Sequence, residues 1–330
     1  MTWKRAVLKA WSQLASGEYD PPSGVLFPYG HIVGDVNPPH VKHLFSIPSI
    51  AKFKSDLDFL CKRYRPLRLC ELERIGNLRG NRKAARYFVL SFDDGLRETY
   101  DVIAPILRER GLSAIFFLNS STVDNRQLMW RHQVSLLIEK AQHEPGRIPP
   151  QIRAHSTTDL VAKLKALRTG ADGLLDNVAR FFEVDFTEYL ASARPYLTGV
   201  QILELASEGF EFGSHSENHP HFDQIAIEEQ KRQIANSVSF IRGLGVPCRY
   251  FAFPFHDRGV PASVFNYMKD LDLLLSFGTS EGRLDTIPFS FQRFALDGEN
   301  IDSDIPELLK QLSTKSFVRH LSRTRIIARR

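Results

Sequence analysis

Cysteine is scarce: Cys61, Cys70 and Cys248 are the only three in 330 residues. Their number is odd and no CxxC or paired spacing occurs, which argues against a disulfide framework and predicts reduced, buried thiols. Long apolar runs are also missing. No stretch of about 18 apolar residues occurs, so no membrane-spanning helix is expected. The first twenty residues, MTWKRAVLKAWSQLASGEYD, place Lys4, Arg5 and Lys9 inside what would be the apolar core of a signal peptide. The expectation is a soluble cytoplasmic protein. Internal repeats, low-complexity tracts and nucleic-acid-binding motifs are absent too, so no nucleic-acid partner is expected.

What is present is ordinary for a folded chain: 43% hydrophobic and 25% charged residues, enough to bury a core and keep a polar surface. The net charge is +5, much of it from the end, TKSFVRHLSRTRIIARR. Lys315, Arg319 and Arg323 are four apart and would share a helical face. Such a tail reads as solvated, or as a peripheral contact with an anionic membrane surface.

Short apolar runs bounded by turn residues predict strands at 24–28, 87–92, 114–118, 210–213, 250–253, 273–277 and 291–295. They are Phe-rich and continuous instead of alternating, as strands covered on both faces should be. Between them, Ile50, Phe53, Leu57, Leu60 and Tyr64 form one helical stripe. Val102, Ile103, Ile106 and Leu107 form another before Gly111, with Pro105 near the first turn. Ile227, Ile234, Val238 and Ile241 form a third, with Asp223 as candidate N-cap. Strand–helix alternation of this kind predicts an α/β fold on a parallel sheet, open or closed. The expected organisation is an N-terminal segment at 1–84 with the first strand and helix, a barrel domain at 85–300, and a basic helical tail at 301–330. The stretch from about 119 to 200 is helical in pattern and reads as an insertion beside or over the site.

Three of the strands end in chemistry-bearing residues. SFDDG places Asp93 and Asp94 side by side, FGSHSENHP places His215 and His219 after a short strand, and FAFPFH ends a third strand at Pro254. Carboxyl ends of strands are where α/β sheets and barrels build their sites. Two imidazoles and one carboxylate make an open divalent-metal set that leaves a position for water. If Asp94 ligates the cation, its charge is offset and Asp93 can remain ionised as a base.

These stretches resemble the first three motifs of the polysaccharide deacetylases, the NodB-homology carbohydrate esterases. The resemblance covers about residues 85–295, the insertion excepted, and YGHIVGD and DLDFLCKRYRPLRLCEL also resemble segments that precede the first motif. It implies a distorted (β/α)7 barrel and metal-dependent hydrolysis of acetyl groups on sugars. Matched residue by residue, Asp93 would be the catalytic base and Asp94, His215 and His219 the metal ligands. The metal would be zinc, with cobalt or nickel able to substitute. The backbone N–H of Phe255 would donate to the developing oxyanion. The implied partner is an N-acetylated sugar or glycan precursor.

The sequence departs from that pattern in two places. Where relatives carry an arginine that positions the base, this chain has Ala252, and Arg293 in the last strand is the candidate replacement. The late Leu-x-His motif that supplies the general acid is not visible, and His320 sits in the basic tail. His256 and His31, both near strand ends, are the candidate acids, unless Asp93 serves as base and acid in turn. Trp130 and Pro254 are the candidate substrate contacts, although a Trp at this spacing is more often core, while His132, His143 and His155 read as solvated. Rival functions are hydrolysis of a non-sugar amide, cyclic amide or ureide on the same barrel, and a non-catalytic glycan- or metal-binding barrel.

Overall fold

The structure, a computed structural model, describes residues 24–68, 71, 86–322, 324 and 326–329. Lys4, Arg5, Lys9, Cys70 and Arg323 lie outside the described residues.

All seven expected strands form, within two residues of the ranges read from the sequence. They are Gly24–Leu26 with Pro28–Gly30 (β1), Arg86–Phe88 with Leu90–Phe92 (β2), Ala114–Leu118 (β3), Glu211–Ser214 (β4), Tyr250–Ala252 (β5), Leu275–Gly278 (β6) and Ser290–Gln292 with Phe294–Ala295 (β7). Every pairing among them is parallel, and neighbours run in sequence order from β1 to β7. The last strand then closes the sheet on the first. Ser290 is in register with Ser276 on β6, and Phe294 with Pro28 on β1. Arg293 marks the change of partner: its N–H donates to the Gly278 carbonyl, and that of Phe294 to the Phe27 carbonyl. The result is the nearly closed (β/α)7 barrel that the family resemblance implies.

Strand parity sorts the side chains. Phe27, Val89, Ile115, Phe117, Ala252 and Phe277 pack against one another in one cluster. Phe88, Leu90, Phe92, Phe116, Phe212 and Phe251 belong to a second, shared with the surrounding helices. Ser91 and Asp93 share the parity of Val89, so the polar end of the inner layer sits at the carboxyl end of β2. Space is tight where β3, β4 and β5 meet. A Cβ on Gly213 would fall 2.5 Å from the Phe117 ring and 2.9 Å from the Tyr250 carbonyl.

The helices follow the predicted stripes. In Ile50–Arg63 (α1), Ser49 caps the N-terminus and Phe53, Leu57 and Leu60 are buried. Ala104–Glu109 (α2), which carries Pro105 in its first turn, continues from a π-helical turn at Thr99–Ile103. One cap differs from expectation. The helix Ile227–Gly243 starts after Ala226, with no side-chain cap, while Asp223 sits in a separate turn, Phe222–Gln224. Glu228 and Glu229 in the first turn supply the negative charge that a capping aspartate would have brought.

Between β3 and β4 lie Trp130–His143 (α3), Thr157–Lys165 (α4), Asp172–Phe182 (α5) and Phe186–Ala193 (α6). They share a cluster that includes Val134, Leu137, Leu160, Leu175, Val178 and Phe182. Gly199–Ser207 (α7) instead turns Ile202 and Leu205 into the barrel's own cluster. At the junction the N–H of Leu197 donates to the Gly95 carbonyl, tying the helical stretch to the turn after β2.

Two single-residue expectations fail. His132 is buried, not solvated, because its Nδ1 meets the Tyr196 hydroxyl at 2.6 Å inside that helical cluster. Cys61 is exposed on α1, while Cys248 is buried. Nor is the basic end simply solvated. In the helix Ile305–Leu321, Ile305, Leu308 and Leu309 are buried, and Lys315 pairs with Glu281. Further on, Arg329 is buried between the carboxylates of Asp257 and Asp285. Among the described residues, no helix is long and apolar enough to cross a membrane.

Candidate active site

The adjacent aspartates leave β2 in different directions. The N–H of Asp93 continues the ladder to the Gly30 carbonyl, which keeps its side chain on the inner face. Asp94 and Gly95 then adopt left-handed backbones, with φ of 73° and 61°. Aspartate tolerates that conformation better than most residues. At Gly95 a Cβ would also fall 2.9 Å from Leu118.

Arg293 reaches Asp93 from the closing strand. Its two terminal nitrogens donate to the two carboxylate oxygens at 2.7 Å each, and one also donates to Ser91 Oγ at 3.1 Å. The guanidinium lies over the Tyr29 ring, 4.3 Å from its centroid. Burial alone would raise the pKa of Asp93, but the Arg293 charge and hydrogen bonds outweigh it and hold the carboxyl below its ordinary range. Asp93 is therefore an anion fixed in one orientation.

Beside it, Asp94, His215 and His219 converge. Asp94 Oδ1 lies 3.7 Å from His215 Nε2 and 3.5 Å from His219 Nε2, and these three residues form a cluster able to hold a metal ion. Ligand atoms of a tetrahedral zinc lie ~3.3 Å apart, given bonds of about 2.0–2.1 Å. The surroundings prepare the donors. His215 Nδ1–H donates to the Ala252 carbonyl at 2.9 Å, which leaves the Nε2 lone pair facing Asp94. Trp130 Nε1–H donates to the His219 carbonyl at 2.9 Å. Burial lowers the pKa of both histidines, so both imidazoles are neutral, and burial raises that of Asp94. Asp94 Oδ1 is buried without a hydrogen-bond partner. An orphaned carboxylate oxygen facing two neutral imidazoles fits a cation.

Of the two candidate acids, His31 lies close enough to the carboxylate pair for Asp94 and Asp93 to influence its pKa. It follows β1, and its Nδ1–H donates to Asp297 Oδ2 at 2.9 Å, while its backbone N–H donates to the same oxygen at 2.8 Å. Burial pulls its pKa down, but Asp297, assisted by Asp94 and Asp93, pushes it up to about 9. His256 turns elsewhere, its Nε2 4.0 Å from Asp223. Phe255 is held at φ 56°, a conformation costly for a bulky residue and typical of a functional turn. Its carbonyl accepts from Thr279 Oγ1 at 2.7 Å. Among the described residues, no protein acceptor takes its N–H.

Both expected substrate contacts need correction. Trp130 is buried in the insertion's core, and its indole supports His219 instead of offering a face to a sugar. Pro254 is buried as well, next to the half-buried Phe255. His143 and His155 are exposed, as expected. Asp297 escaped the sequence analysis, although ALDG after the last strand repeats the pattern of a carboxylate at a strand's carboxyl end. Tyr196 also escaped it, and no local signal marks that residue.

A parallel barrel whose strand ends carry a fixed carboxylate beside a two-histidine, one-aspartate cluster is built as a hydrolase. The chain belongs to the polysaccharide deacetylase family: the family profile of that description matches residues 80–159 and 177–275, more than half of the chain. With that family it is a hydrolase of carbon–nitrogen bonds other than peptide bonds. Solved structures show the same fold at low identity. The Streptococcus pyogenes deacetylase PplD in complex with acetate is 15% identical, with a TM-score of 0.57 over 88% of this chain and 99% of its own. IcaB from Ammonifex degensii is 15% identical, with a TM-score of 0.55 over 88% and 98%. The de-N-acetylase from Aggregatibacter actinomycetemcomitans is 17% identical, with a TM-score of 0.51 over 82% and 93%. No curated protein sequence matches significantly.

Proposed function

We propose that the protein removes the acetyl group from an N-acetylated sugar or glycan precursor, with Asp93 as base and His31 as acid. One observation supports this: Asp93, clamped by Arg293, lies beside a cluster able to hold a cation, and His31, bonded to Asp297, is near enough for Asp94 and Asp93 to help raise its pKa. Asp94, His215 and His219 would hold the cation, for which zinc suits the donor set. When bound, that cation supplies Lewis acidity to the water and the acetyl carbonyl.

The chain's own groups do the rest. Asp93 takes the proton as water attacks the carbonyl carbon, and Arg293 keeps the carboxylate from turning away. The Phe255 N–H donates to the oxygen on which negative charge develops. The C–N bond then breaks as His31 gives its proton to the departing nitrogen, and the products are acetate and the free amine. His31 is the better candidate because Asp297 favours its protonated form, whereas His256 turns toward Asp223. The activities printed for PplD and the Aggregatibacter enzyme, deacetylation and de-N-acetylation, agree with this reading.

The test is acetate release from a panel of N-acetylhexosamines and their oligomers, with bound metal measured on the same samples. Asp93→Asn should abolish release while keeping the metal, and His215→Ala should lose release together with the ion held by Asp94, His215 and His219. Stoichiometric metal without acetate from any sugar would turn attention to cyclic amides and ureides. A wild-type protein that binds no divalent metal would overturn the site.

A further inference from the structure

A second group of metal-ligating side chains lies beyond Phe255. His221, Asp223 and His256 each bring one ligand atom to within 4.8 Å of the others. They come from two loops: His221 and Asp223 follow β4, and His256 follows β5. The His256 Nε2 to Asp223 Oδ2 distance is 4.0 Å, slightly longer than the 3.5 Å and 3.7 Å found in the first cluster. His221 is 7% exposed. The Nδ1 atoms of His221 and His256 are buried without hydrogen-bond partners.

The group is held in place by its neighbours. The His221 ring stacks on Phe255, with centroids 3.7 Å apart and planes 9° from parallel. Its backbone N–H donates to Thr169 Oγ1 at 2.7 Å. Asp223 sits in its own helical turn instead of capping the helix that follows, so its carboxylate has no helix N-terminus to satisfy. Two imidazole nitrogens buried without partners, on residues that share a ligand cluster with the Asp223 carboxylate, carry a cost that a bound cation holding the group together would offset.

We infer that His221, Asp223 and His256 form a second divalent-cation site, separate from Asp94, His215 and His219. Its nitrogen-rich donor set selects a first-row transition cation such as zinc or cobalt over magnesium or calcium, which prefer all-oxygen shells. Three protein ligands at a partly open rim leave positions for water. Binding there ties the loop after β4 to the loop after β5, and so braces the left-handed turn that aims the Phe255 N–H. The inference does not depend on the substrate or on acetyl removal.

Zinc content after saturation with Zn²⁺ and gel filtration tests it on the full chain. The wild type should retain two zinc ions per chain. Asp223→Asn and His256→Ala should each retain one, with the second ion bound about 100-fold more weakly or not at all. His215→Ala should also retain one, now held at the second site. In His215→Ala charged with Co²⁺, the visible absorption of the remaining cobalt should disappear when Asp223→Asn is added. Circular dichroism on each variant checks folding, and Asp223 and His256 are partly exposed, so substitution there leaves the core intact. One zinc per wild-type chain would overturn the site. So would two zinc ions that persist in the Asp223→Asn, His256→Ala double variant.

Discussion

The proposed base side and acid side of the site are built from the last strand and the turn after it, with the charges exchanged. On the base side, Arg293 in β7 holds an anion, Asp93, that burial would otherwise neutralise. On the acid side, Asp297, four residues further on, holds a cation, His31, that burial would otherwise neutralise. The two pairs differ in their access to water. The side chains of Arg293 and Asp93 are 1% and 3% exposed, whereas that of His31 is 20% exposed. A base that must stay ionised gains from a sealed, two-point clamp. In the proposed reaction, an acid that loses its proton in every turnover would have to recover one from solvent.

The largest effect should come from breaking the sealed pair. Arg293→Ala strands a buried carboxylate and should cost about 3–5 kcal/mol in urea denaturation. Arg293→Lys restores the charge but not the two-point grip, so it should recover stability better than activity. An unchanged denaturation midpoint in Arg293→Ala would mean that the clamp contributes nothing to the fold. Next in size, Asp93→Asn should lower kcat by about 10²–10⁴-fold with metal content intact.

Asp297→Asn probes the open pair and should act mainly on pH dependence. Without the Asp297 charge, the His31 pKa falls from about 9 toward 6.5. The alkaline limb of kcat/KM should therefore move to lower pH, and His256→Ala should leave it where it is. The linkage has opposite signs on the two sides. His31 is raised in the fold, so its contribution is complete below pH 6.5 and is lost as pH rises through about 9. Asp93 is lowered, so its contribution is present above 3.8 and is lost as pH falls through its folded pKa. Wild type should accordingly lose stability relative to Asp297→Asn between pH 6 and 9.5, measured by denaturant midpoint. The smallest change should follow Trp130→Phe, which removes one hydrogen bond behind His219. It should cost about 0.5–1.5 kcal/mol and weaken metal binding about 10-fold in a calorimetric titration.

The sequence made the barrel legible because its strands are short, apolar on both faces and punctuated by turn residues, so β1 to β7 stand out one by one. The first-motif aspartates and the two histidines were legible for a similar reason: each lies within a few residues of a strand end. Arg293 could be suspected from its place in the last strand, but its grip on Asp93 depends on how β7 changes partner at that residue. Asp297 and Tyr196 were harder still. Each acts on a residue brought near by barrel closure or by the packing of α3, and no spacing along the chain records such a contact. Trp130 could be read either way, because an aromatic residue beside a sugar site has the same sequence appearance whether it faces the sugar or the core, and it proves to be core.

Closure of the barrel by β7 has a consequence for biosynthesis. Asp93 and Arg293 are separated by 200 positions, and β1 gains its second neighbour only from β7. At about 5–20 residues per second, roughly 10–40 s pass on the ribosome between Asp93 and Arg293. During that interval the nascent sheet carries an open edge at β1 and a lone carboxylate on its inner layer. Non-local closure of this kind is slow and exposes strand edges to other chains. Holdase chaperones should therefore meet this protein as an unfinished sheet, and expression at lower temperature should raise the yield of active enzyme more than that of total chain.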